Sequence, residues 1–320
     1  MKVLYPQISP FKTFHLEVTP GHSIYVEQSG NASGIPVLFL HGGPCSGTRA
    51  NHRQFFNPDF FHIILFDQRG CGQSKPFGEI QGNTTADLIA DMEAIREYLS
   101  IDTWVLFGGS WGAALALLYA QQFKERVEAL VLRGVFLARR QDMDWFIKEG
   151  ANKIYPELFE DLVAALPSHR ADARVETLYK TVFGTDHKAA IKAAKAWEAW
   201  GSQLALGGEY SANDEGGDEE KLVAQVKMEL YYAQNNYFIA ENQILNLCGT
   251  LTDIPAVIIH GRKDLVCPLE AGWSLAQALP EADFKVLPAA GHIAQGEAMV
   301  DALVTAMDGL ASGLNKLKGK

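Results

Sequence analysis

The sequence predicts an α/β fold: a mostly parallel central sheet with helices on both faces and an all-helical block inserted into it. Three observations predict this. Short, continuously apolar runs alternate with helical stretches up to Leu132, the mark of parallel strands buried on both faces. The alternation then stops and resumes at Ile254. Between one strand pattern and one helix pattern stands a G-x-S-x-G pentapeptide, a combination with a known mechanical meaning.

The elements follow in order. Residues 14–19 and 22–29 form an opening antiparallel pair turned at Pro20-Gly21. Strands are expected at 36–40, 63–66, 104–107 and 129–132, and again at 256–260 and 284–287. The clearest covering helix is 84–99. Thr84 or Thr85 can cap it, and Leu88, Met92, Ile95 and Leu99 fall on one face at spacings of three and four. From about Leu137 to Cys248 the pattern is helical with no good strand. A helical block between two strands of one sheet is a cap rather than a separate domain. The expected organisation is therefore 1–136 with 251–320 as the sheet domain and 137–250 as the cap. Within the cap, residues 207–220 are glycine-rich and carry Glu209, Asp214, Glu215, Asp218, Glu219 and Glu220 without a base. They are expected to form a solvated loop.

Composition narrows the classes of function. The chain has 320 residues, 48% of them hydrophobic and 21% charged, with a formal charge of -10. That size supports a substantial core. The acidity disfavours nucleic acid and anionic membranes as partners. No apolar window reaches the length of a membrane-spanning helix, and the first residues lack a signal-peptide apolar run. Cys45, Cys71, Cys248 and Cys267 lie far apart with no CxxC pair, against both a metal site and a disulfide framework. A reducing cytoplasm is the expected location. Oligomeric state leaves no signal.

Gly108-Gly109-Ser110-Trp111-Gly112 follows the strand at 104–107 and precedes the helical run from Ala113 to Gln122. In that setting the motif is the nucleophile elbow of the α/β-hydrolase fold. The turn is so tight that side chains at 108 and 112 would collide with their neighbours, and the serine must adopt a strained backbone to project its hydroxyl. A serine needs a base. His292, in Ala289-Ala290-Gly291-His292, follows the last strand. Asp264, in Gly261-Arg262-Lys263-Asp264, follows the strand before it. Loops at the carboxyl ends of parallel strands converge on one edge, so Ser110, Asp264 and His292 can form a triad in the order this fold uses. His260, inside an apolar strand, is expected to be a core histidine. Asp253 precedes its strand and belongs to the wrong edge. The loop His41-Gly42-Gly43-Pro44 should supply the Gly43 N–H (or that of Gly42) to an oxyanion hole completed by the Trp111 N–H. His41 itself is assigned to structural hydrogen bonding.

These residues together resemble the prolyl aminopeptidase (proline iminopeptidase) family. The resemblance is carried by HGGP at 41–44, Asp67-Gln68-Arg69-Gly70-Cys71-Gly72, the Gly-Gly-Ser-Trp-Gly elbow, Leu132-Arg133-Gly134, and the Asp264 and His292 loops. It implies a cap-covered serine peptidase that releases an N-terminal proline from small peptides, with no metal or organic cofactor. The alternative is a carboxylesterase or amidase on the same scaffold, acting on a small ester or amide. Epoxide hydrolase and haloalkane dehalogenase chemistry would need a carboxylate nucleophile where Ser110 stands. Two departures stand out. Cys45 replaces the glycine that usually follows HGGP. In the cap, the family's two ammonium-binding glutamates are matched by Gly201, after Ala196-Trp197-Glu198-Ala199-Trp200, and by Gln234, before Tyr237-Phe238. Glu198, Glu229 or Glu241 could supply the missing charge from another helical position. Gln234, Trp200, Glu198 and Tyr237 are the expected substrate-pocket residues.

Overall fold

The computed structural model describes residues 1–19, 21–167, 171–210 and 217–318. Pro20 of the expected turn, His169, Asp214 and Glu215 lie outside them.

All eight expected strands are present: β1 Lys12–Val18, β2 His22–Gly30, β3 Ile35–Leu40, β4 Phe61–Phe66, β5 Trp104–Gly109, β6 Val127–Arg133, β7 Ala256–Gly261 and β8 Asp283–Leu287. They form one sheet in the order β1-β2-β4-β3-β5-β6-β7-β8. β1 and β2 pair antiparallel, as do β2 and β4, and the remaining pairs are parallel. Every residue of β4 and β5 is buried, because helices cover both faces and leave no side for polar groups.

Among the described residues ten α-helices accompany the strands: α1 Thr85–Tyr98, α2 Trp111–Gln122, α3 Arg140–Ile147, α4 Pro156–Ala164, α5 Arg174–Val182, α6 His187–Leu206, α7 Glu219–Gln234, α8 Gln243–Asn246, α9 Leu269–Ala278 and α10 Glu297–Lys318. The alternation of a strand splits its side chains between two cores. Trp104 and Leu106 of β5 pack with α1, α2 and α9, whereas Val105 and Phe107 pack with α10 and the 3-10 turn Ala50–Phe55. α1 starts where the sequence placed it. Thr84 caps it, and Asp87 accepts from the Thr84 N–H at 2.9 Å in return.

Between β6 and β7 the described residues form helices α3–α8 and no strand. α3–α7 build a third core, with Ile147, Phe159, Leu178, Trp200, Leu204 and Leu230 at its centre. This insertion is held over the carboxyl edge of the sheet. Thr85 Oγ1 of α1 donates to the Tyr237 carbonyl at 2.5 Å, and Tyr237 packs on Trp111 with ring centroids 5.4 Å apart.

Candidate active site

The elbow has the backbone its sequence demands. Ser110 sits at φ 57°, ψ −124°, in a region that a residue with a side chain occupies only under constraint. The constraint is packing: a Cβ on Gly112 would fall 2.0 Å from the Leu40 carbonyl oxygen, and one on Gly108 2.2 Å from that of Gly112. The Ser110 N–H donates to the Arg133 carbonyl at 3.0 Å, which fixes the turn to β6. Trp111 opens α2, so its N–H has no acceptor within the helix and is free for an anion. Across from it, Gly43 stands exposed at φ 112°.

Asp264 and His292 meet across the loops that follow β7 and β8. His292 Nδ1 donates to Asp264 Oδ2 at 2.7 Å. Asp264 Oδ1 accepts from the Val266 and Cys267 N–H groups at 3.0 and 2.8 Å. Burial alone would push the Asp264 carboxyl up, but the charge and hydrogen bond of His292 hold it below the usual carboxylate range. With Nδ1 committed, His292 is left with Nε2 for proton transfer, and it shares a cavity with Ser110. Arg133 Nη1 donates to the His292 carbonyl, a tie that nothing in the sequence signals.

Several rivals are accounted for. His260 is fully buried; its Nδ1 accepts from the Val135 N–H at 3.3 Å, and its Nε2 donates to the Cys267 carbonyl at 2.8 Å. Asp253 is exposed and pairs with Lys124 at 2.7 Å. His41 is structural: its Nε2 accepts from the Gln68 N–H at 3.0 Å, and Gln68 Oε1 accepts from the Trp111 indole at 3.0 Å. Gln68 thus couples the Gly43 loop to the elbow, which gives the Asp67–Gly72 motif a task. Cys45, at φ 87°, is a buried thiol that donates to the Gly70 carbonyl at 3.4 Å.

Over Ser110 lies a cavity of about 270 Å³. Phe136, Phe146, Trp197 and Tyr237 give it an aromatic wall. Glu198 and Glu229 line it, as does Gly201. Glu229 accepts from Trp197 Nε1 at 2.6 Å and from Gln225 Nε2 at 3.2 Å. Burial, joined by the charge of Glu198, raises the Glu229 carboxyl above its ordinary value despite these two donors.

Two expected pocket residues are elsewhere. Gln234 is exposed and lines a separate surface depression with Arg139, Lys148 and Asn236. It follows Glu229 by five residues, a rotation of about 140° around the helix that turns it off the cavity face. Trp200 belongs to the core of the insertion, where its Nε1 donates to the Phe146 carbonyl at 2.9 Å. Glu241 is exposed, accepting from the Arg140 N–H. Cys267, which the sequence does not mark as a pocket residue, lines the cavity next to Ser110; burial pushes its thiol well up, so it stays protonated.

The family described as alpha/beta hydrolase fold matches residues 35–298. A protein named probable proline iminopeptidase from Leptolyngbya boryana is 42% identical over 96% of this chain and 97% of its own length. This chain belongs to the proline iminopeptidase family of α/β hydrolases. The proline iminopeptidase of Xanthomonas citri is likewise 42% identical, over 97% of this chain and its own full length. A haloalkane dehalogenase loop variant from Bradyrhizobium elkanii superposes with a TM-score of 0.67 over 98% of this chain and 100% of its own, at 19% identity. That likeness shows the shared fold.

Proposed function

We propose that this member of the family is a serine hydrolase that releases N-terminal proline from small peptides through an acyl-enzyme. The observation that carries the reading is the chemistry of the cavity on Ser110. It is small and aromatic, and its only base is His292, set against the carboxylates of Glu198, Glu229 and Asp142. Asp142 is matched by Arg139 at 2.7 Å, which leaves Glu198 and Glu229 to meet an ammonium.

The proline ring packs between Phe136 and Tyr237, with its secondary ammonium toward Glu229 and Glu198. Ser110 Oγ attacks the acyl carbon while His292 Nε2 takes the hydroxyl proton. The oxyanion is held by the Gly43 and Trp111 N–H groups. The C–N bond breaks as His292 returns that proton to the leaving nitrogen, and water then releases proline by the same route. Asp264 fixes the tautomer and stabilises the imidazolium. Residues 137–250 act as the cap, and 1–136 with 251–320 as the catalytic domain. Among the described residues no helix is long and apolar enough to cross a membrane. Four buried free thiols fit a reducing, cytoplasmic setting.

The test is a paired assay. Proline-naphthylamide should be cleaved with a kcat/KM far above that for N-acetylproline-naphthylamide and for a short-chain nitrophenyl ester. Turnover of the ester alone would favour the carboxylesterase reading instead.

A further inference from the structure

Ser110 and His292 border a second cavity. It holds about 250 Å³, between the loop that follows β3 and the turn Ile293-Ala294-Gln295 that follows His292. It shares Gly43, Ser46, Ser110 and His292 with the first cavity. Its other ionisable side chains are Arg49, Arg133, His41 and His52, and no carboxylate lines it. Among the described residues no ion pair within 4 Å engages Arg49 or Arg133, although the charge of Asp264, outside the cavity lining, also acts on Arg133. Arg133 is half-buried beside the elbow, and one arm of its guanidinium is taken by the His292 carbonyl. His52 Nδ1 accepts from the Arg49 N–H at 3.1 Å, so the neutral ring keeps its proton on Nε2 as a further donor. Burial, with the nearby His41, Arg49 and Arg133, pushes this imidazole down to about 4.

The two cavities therefore carry opposite charge on either side of one nucleophile. In acyl transfer the acyl half and the leaving half of a substrate lie on opposite sides of the attacking oxygen, and the leaving half lies where His292 can protonate it. We infer that the second cavity is the leaving-group site, and that it selects peptides whose leaving residue carries negative charge beside the scissile bond. The best-matched substrate is a free Pro-X dipeptide: its ammonium meets Glu229 and Glu198, and its carboxylate, two bonds from the leaving nitrogen, meets Arg49 and Arg133. Longer peptides with Asp or Glu as the second residue present the same charge more remotely. This rests on the proline reading above for the acyl side only.

The test compares Pro-Ala with Pro-Ala-NH2, two substrates that differ in one charge. The wild type should favour Pro-Ala by about tenfold in kcat/KM, the scale of one charge-assisted hydrogen bond. Half-molar salt should shrink the ratio by screening. Arg49→Glu, at an exposed position, should lower the ratio about fivefold. A ratio near one in the wild type overturns the inference, as does a ratio that Arg49→Glu leaves unchanged. If no proline substrate is turned over, the proline reading fails separately. The charge contrast is then run on acetyl esters, 4-acetoxybenzoate against phenyl acetate. Preference for the charged leaving group supports the site, and equal rates remove it.

Discussion

The indole N–H of Trp197 donates to Glu229 Oε2 at 2.6 Å, joining α6 to α7 across the wall of the cavity above Ser110. The bond orients a carboxylate that burial holds above its ordinary pKa. Glu229→Gln keeps an acceptor for Trp197 and removes the charge. It should lower kcat/KM for proline-naphthylamide by about tenfold or more while changing N-acetylproline-naphthylamide little, read from parallel progress curves. Equal losses on the two would mean that Glu229 does not meet the ammonium.

The role proposed for this carboxyl predicts a pH dependence. Glu229 attracts an ammonium only when ionised, and its pKa is raised, so free-amine selectivity should rise with pH through a value above the usual carboxylate range. The ratio of kcat/KM for free and N-acetyl substrates isolates this group, because the two share every other catalytic step. A ratio flat between pH 4.5 and 7, spanned in steps of about half a unit, would contradict the assignment.

Stability should move the other way. A carboxyl whose folded pKa is raised favours the native state below its unfolded pKa and loses that contribution as pH rises through the folded value. Glu229→Gln is thus expected to raise Tm at pH 7, by about 2 °C, with the gain vanishing near pH 4. Differential scanning calorimetry at the two pH values reads this directly.

Ser110→Ala should lower kcat by about a million-fold on every substrate with the fold intact. Asp264→Asn should lower it roughly ten-thousand-fold, because the amide leaves His292 in the wrong tautomer. Near-normal turnover in either purified variant would displace that residue from the mechanism.

Gln234→Glu provides a negative control. Since Gln234 faces a different depression, the added carboxylate should change kcat/KM for proline-naphthylamide by less than about twofold. A tenfold gain would place Gln234 in the substrate cavity after all.

The contrast between Glu229 and Gln234 also shows what sequence can and cannot convey. The strands, the cap of α1 and the elbow are local: each follows from a few neighbouring residues and their steric needs. The pairing of Asp264 with His292 is legible because a loop after a parallel strand has only one edge to reach. The wall of the cavity is different. Which side of α6 or α7 looks down on Ser110 depends on how those helices pack, and matching Gly201 and Gln234 to a family pattern says nothing of rotation about the axis. Glu198, one turn before Gly201, and Glu229 fill the space instead. Arg133 is hidden for a related reason, since its partners lie in loops distant in the chain.

Arg133 carries one further consequence. Its carbonyl receives the Ser110 N–H, and its guanidinium reaches the His292 carbonyl. Ser110 and His292, the proposed nucleophile and base, are therefore braced to the same residue of β6, below the point where the chain departs into α3–α8. Their alignment does not pass through the helices overhead. Such a division makes the overlying segment interchangeable: a foreign lid grafted between β6 and β7 could redirect which molecules are cut while the cutting apparatus stays in tune.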